Sequence, residues 1–268
     1  MSAFRTRASQ TSLAGLLVLI PALSAVGEVV TLTSIKDNTL YEDPTGATSN
    51  GSGTHLFAGE TLGGSLRRGL IEFDVAGAVP EGATIISASV RLHMSMTSTA
   101  GVVVELHRVL QEWGEGASVG FGEEGAGAPS APGDATWLHT FFDTSFWDQP
   151  GGDFDASASG SAVVFSNGFY TWGPTPGITA DVQAWLEAPE MNHGWMLLGD
   201  ESALQTAKRF DTREHPDTSV RPMLTIEYLP VPEPATCIFL TMGSAATLWC
   251  RRLAGTGAGG TPAPQRIS

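Results

Sequence analysis

From residue 86 onward the chain alternates: Ile86, Ala88, Val90, Leu92, Met94 and Met96 are apolar, and Ser87, Ser89, Arg91, His93 and Ser95 between them are polar. A period of two predicts a strand with one face on a core and the other in water. The pattern recurs in Ile71, Phe73 and Val75 around Glu72 and Asp74, and in Val102, Val104 and Leu106 around Glu105 and His107. Leu224, Ile226 and Tyr228 repeat it once more. Turn-rich stretches such as 44–53 and Pro80-Glu81-Gly82 separate the runs, as between antiparallel strands. A helical period occurs once, from Thr179 to Leu186, where Val182, Trp185 and Leu186 share a face behind a threonine cap. Residues 114–135, rich in Gly, Ala and Pro, read as a long surface loop. Many strands, little helix and one core predict an all-β fold, a single β-sandwich of jelly-roll type.

Both ends break this pattern. Arg5 and Arg7 precede an apolar run from Leu13 to Leu23 and the small residues Ala25, Val26 and Gly27. Residues 1–27 therefore read as a signal peptide, with a helix well short of the ~20 residues of a spanning one. The body then runs over 28–229. Beyond it, Ala235 to Cys250 carries no charge; as a helix it reaches roughly 24 Å against a hydrocarbon core of roughly 30 Å. It is marginal as a permanent span. The arginine pair Arg251 and Arg252 belongs on the cytoplasmic side. Residues 230–252 thus read as a hydrophobic anchor or sorting helix, and 253–268 as a flexible tail.

The order of parts in this segment, Val231-Pro232-Glu233-Pro234, the apolar run, then Arg251-Arg252, resembles the PEP-CTERM sorting signal of Gram-negative bacteria that make extracellular polysaccharide. That resemblance implies recognition by an exosortase and delivery to the cell surface or matrix, with the membrane engaged through this segment before processing. An ordinary C-terminal anchor also fits, and the extension 253–268 is longer than such signals usually carry. In the body, "DNTLYED", "RRGLIEFDV", "WDQPGGDF", "ITADVQAWLEAPEMNHGWMLLGDES", "TAKRFDTREHP" and "RPMLTIEY" stand in an order similar to DNRLRE-type domains. This implies a fold like that of jelly-roll carbohydrate-binding modules and a polysaccharide partner, acidic polysaccharides such as alginate among them. The matching motifs themselves read as structural. Gly151-Gly152 suits a tight turn, Arg213 and Glu214 suit an ion pair at a sheet corner, and Pro222 suits the start of the last strand.

Charge narrows the partners. The chain has a formal charge of −14, and its ends carry five of the arginines, so the body is strongly acidic and repels nucleic acid and anionic lipid. Both cysteines, Cys237 and Cys250, lie in the C-terminal segment, so the body has no disulfide. Attachment to an acidic polysaccharide then needs a local patch from Arg67, Arg68, Lys208, Arg209 or Arg213, or bridging Ca2+. Asp37, Asn38 and Asp43, or Asp200 and Glu201, offer hard oxygen ligands, without EF-hand spacing.

Sugar rings stack on exposed indoles. Of the six body tryptophans, Trp185 and Trp195 sit in apolar patterns, while Trp147 and Trp172 lie among turn residues and Trp113 at a strand end. These three are the candidate sugar platform, Trp147 and Trp172 first. The six histidines show no metal spacing of the H-E-x-x-H kind, and no G-x-S-x-G elbow, P-loop or dinucleotide fingerprint occurs. The expectation is a noncatalytic polysaccharide-binding protein. A structural matrix protein without a glycan site is the alternative, and a polysaccharide-degrading enzyme ranks third.

Overall fold

The computed structural model describes residues 26–99 and 101–231. The signal segment up to residue 25 and everything beyond Val231, with the two flanking helices expected there, lie outside the described residues. Among the described residues no helix is long and apolar enough to cross a membrane.

In chain order the strands are β1 (Glu28–Thr33), β2 (Lys36–Tyr41), β3 (Thr48–Ser49), β4 (His55–Glu60), β5 (Leu66–Glu72), β6 (Thr84–Thr97), β7 (Val102–Val109) and β8 (Ala128–Pro129). They continue as β9 (His139–Phe141), β10 (Ser145–Phe146), β11 (Phe154–Val164) and β12 (Gly168–Trp172). After helix α1 (Pro176–Glu187) come β13 (Trp195–Leu198), β14 (Lys208–Asp211) and β15 (Met223–Leu229). All pairings are antiparallel, as the alternation predicts. One leaf centres on the long β6, flanked by β15 and β14 on one side and β12 on the other, with β1 beyond β15 and β4 beyond β14. The other runs β2–β5–β13–β7–β11.

Strand β4 joins the leaves. His55 to Ala58 pair with β14, then Gly59 and Glu60 pair with Arg67 and Leu66 of β5. The bend falls on Gly59, at φ +116°, where a Cβ would stand 2.9 Å from the Cα of Ala207. Only glycine takes that turn without strain. The sheet therefore curls on itself as an all-β sandwich, and its inner faces meet in one core.

That core holds Val90, Leu92 and Met94 of β6, Leu224, Ile226 and Tyr228 of β15, and Ile71, Leu106, Trp195 and Leu197 from the opposite leaf. Each such buried aliphatic side chain contributes roughly 1.5–3 kcal/mol. Helix α1 packs on β6 and β11, burying Ile178, Val182, Trp185 and Leu186. It begins earlier than the sequence pattern suggests. Its cap is Thr175, whose side chain accepts the Ile178 N–H, and Pro176 opens the first turn.

Two features depart from simple alternation. In β6, Tyr228 pairs with Ile85 and Glu227 with Ser87, leaving Ile86 as the extra residue of a bulge. Ile85 turns inward and Ile86 outward, the reverse of the expected phase, and a second shift at Arg209 and Phe210 leaves Met96 outside. Secondly, the β5 leaf is buried on both sides around Leu70 and Met196. Leu40, Leu70, Val109, Trp113, Ala135, Trp137, Trp147 and Met196 form a second core on its outer face. The segment after β7, expected as a plain surface loop, is the cover of this second core.

Candidate functional site

The expected sugar platform is corrected by this second core and by the first. Trp113 is 1% exposed, Trp147 5% and Trp172 0%, so none offers an indole face to a pyranose ring. Their ring N–H groups are also spent inside the protein: Trp113 donates to the His193 carbonyl at 2.9 Å, Trp147 to Thr136 at 2.9 Å and Trp172 to Val104 at 2.7 Å. Exposed aromatic surface falls instead on Phe121, Phe146, Phe165 and Phe169.

The proposed oxygen ligands are engaged in separate local contacts. Asp43 accepts from the Thr45 and Ala47 N–H groups and from the Thr45 and Thr48 hydroxyls, which saturate its carboxylate; these bonds outweigh burial and hold its pKa low. Asp200 caps a turn by accepting the N–H and hydroxyl of Ser202. Glu201 is held in a fork by Arg68, with both contacts at 2.8 Å. Asn38 is buried and entirely structural: its amide donates to the Glu115 and Ala135 carbonyls, and its oxygen accepts from Thr39, Ser49 and Asn50. These four hold together neither with one another nor with Asp37 as a calcium cage.

Asp37 enters a different group. One carboxylate oxygen each from Asp37, Glu115 and Glu214 lies within 4.8 Å of the others. Asp37 is completely buried on β2; its Oδ2 accepts the Arg213 N–H at 3.0 Å, while its own N–H donates to Glu115 Oε1 at 2.9 Å. Arg213 donates to both Glu115 oxygens and lies 2.9 Å from Glu214 Oε1. The Arg213–Glu214 pair read from the sequence is therefore present, with Glu115 and Asp37 added from distant parts of the chain. Asp37 Oδ1 and Glu214 Oε2 are buried without a hydrogen-bond partner. Burial first, then the charge of Glu214, holds the Asp37 carboxyl well above the usual carboxylate range. Burial and Glu115 raise Glu214 in the same way.

No basic patch forms from the arginines and lysine considered above. Arg67 stacks on Tyr41 and donates to the Gly125 carbonyl, and Arg209 pairs with Glu123. Lys208 is buried and donates to Thr97 and Thr99, and Arg68 and Arg213 are held as described.

An open cleft does lie on the outer face of the β5 leaf, beyond the edge of the second core. Val109 is under the cover, but Val103 and Glu105 on the same face of β7 emerge from it. With Gly199, Asp200, Glu201 and Ser202 they line a cleft of about 520 Å3, within the range of ligand sites. Arg68 pins the lining residue Glu201, and it also donates to the Gly151 carbonyl and lies over Trp137. Gly151 and Gly152, at φ +89° and +94°, let the chain pass close to Arg68 and Met196, as the paired glycines predict.

A second cluster has no counterpart in the sequence reading. His55, His93 and His215 gather around the buried Asp211. Their separations along the chain hide this, and only the pairing of β14 between β4 and β6, with Asp211 opposite His55, brings them together. Comparison of the chain with protein-family models and with characterised proteins finds no match.

Proposed function

We propose that this is an exported, noncatalytic protein that binds polysaccharide at the cell surface or in the matrix, through the outer cleft of a jelly-roll sandwich. The observation that carries this reading is the cleft itself. It combines exposed methyl groups of Val103 with carboxylates of Glu105 and Asp200 and the hydroxyl of Ser202. Carboxylates accept sugar hydroxyls, and apolar patches take the faces of sugar rings. With Arg68 already committed to Glu201, the cleft suits hydroxyl-rich neutral glycans, and an acidic glycan only through bridging Ca2+. Export by the signal segment, and sorting by an exosortase through Val231 to Arg252, supply the location.

Retention of the full-length protein on columns of neutral and acidic polysaccharides, with Ca2+ or with chelator, tests the reading. Glu105→Gln combined with Asp200→Asn is expected to lower retention about tenfold, the value of one or two lost hydrogen bonds. Absence of retention on every glycan removes the reading and leaves a structural matrix protein.

A further inference from the structure

We propose that His55, His215 and Asp211 form a binding site for a borderline divalent metal ion, Zn2+ by its ligand chemistry. One ring nitrogen from each histidine and one oxygen of Asp211 lie within 4.8 Å of one another. Two imidazoles and one carboxylate are the donor set of many zinc sites, whereas Ca2+ and Mg2+ take oxygen ligands.

The proton positions around the site supply the independent argument. The Thr54 hydroxyl donates to Glu124 Oε1 at 2.8 Å, so its oxygen, 3.1 Å from His55 Nδ1, can only accept from that nitrogen. Nδ1 of His55 therefore carries a proton, and Glu124 Oε2 stands 3.4 Å from it. In the neutral ring Nε2 is then a lone pair, and it faces Asp211 Oδ1 at 3.6 Å. That oxygen is buried and accepts no hydrogen bond. Two facing lone pairs repel, whereas a cation between them is held by both. The other oxygen of Asp211 is fixed by His93 Nδ1 at 2.6 Å, whose ring packs against Phe169.

Behind the third donor, the Asp217 N–H donates to His215 Nδ1 at 3.2 Å, and the Asp217 carbonyl stands 3.3 Å from the same nitrogen, ready to accept from it in the other tautomer. Donation to the carbonyl frees Nε2 as a ligand, so a metal selects that tautomer. Glu124 behind His55 and Asp217 behind His215 are the outer partners that orient metal-bound imidazoles. Asp211 is 1% exposed, while the His55 side chain keeps 15% of its surface. The site is thus fixed on its protein side and open to solvent, leaving a fourth position for water or an outside oxygen. It does not depend on the glycan cleft, whose residues lie on the other leaf.

The test is titration of the full-length, chelator-stripped protein with Zn2+ by calorimetry, and with Co2+ followed by visible absorption. One ion per chain and the absorption of nitrogen–oxygen coordinated Co2+ are expected. His55→Ala and His215→Ala should each weaken binding by about 100-fold or more, beyond the 10–100-fold typical of outer partners, while His193→Ala leaves it unchanged. Because His215 lies outside the strands, its variant keeps the fold, which near-UV circular dichroism verifies. Binding that survives both histidine substitutions, absence of binding, or nitrogen NMR showing His55 doubly protonated with Zn2+ present overturns the proposal.

Discussion

Trp172 donates its indole N–H to the Val104 carbonyl across the sandwich, inside a core where it is edge-on to Phe210. Trp147 does the same towards Thr136 in the outer core. Replacing either by alanine removes a large buried side chain and orphans a carbonyl, so each substitution is expected to cost about 3–5 kcal/mol. Urea unfolding measures it; losses under about 1 kcal/mol would mean these rings are not core. The sequence misleads here because both residues sit among turn formers. A turn residue's burial depends on what lies over it, and for Trp147 that is a cover assembled with β2, β5 and β13. Asp37 was legible as a hard oxygen donor, but neither its burial on β2 nor its partners Glu115 and Glu214 were. They meet it only after the cover and the segment following β14 have closed.

Among the elements, β6 shows how far periodicity carries. Its alternation identifies the strand and its inward side chains Ala88, Val90, Leu92 and Met94, but not the strand's ends. The phase at its beginning fails because a bulge adds one residue, and bulges leave no mark in an apolar pattern. The difference is measurable at two adjacent isoleucines. Ile85→Ala should destabilise by about 2–5 kcal/mol and Ile86→Ala by about 0.5 kcal/mol or less. Comparable losses at both positions would place the bulge elsewhere. Helix α1 offers a parallel case, since its apolar face was legible but its start was not. Thr175→Ala removes the acceptor of the Ile178 N–H and the donor to the Ser159 carbonyl, and is expected to lower stability by about 1–2 kcal/mol. A Thr175→Ser variant, keeping both bonds, should recover most of it.

At the scale of the whole molecule, the Asp37 cluster ties β2 in one leaf to the cover over the outer core and to the chain leaving β14 in the other leaf. With Asp37 completely buried at its centre, the junction makes the stability of the described fold depend on protons. The folded-state pKa of Asp37 is raised above its unfolded value, so the folded protein binds the extra proton. The stabilisation from that proton is complete below an unfolded carboxyl pKa of about 4 and declines as pH rises through the raised folded value. Glu214 contributes with the same sign. Asp37→Asn keeps an acceptor for the Arg213 N–H and removes the ionisation, so the variant should gain on wild type as pH rises from 5 to 8. Denaturant unfolding in the presence of chelator at several pH values checks this, and parallel pH profiles for the two proteins would sink it. If Ca2+ restores wild type at high pH and leaves Asp37→Asn unaffected, the same unpartnered oxygens hold a cation in place of the proton. The junction then answers to ions in the medium.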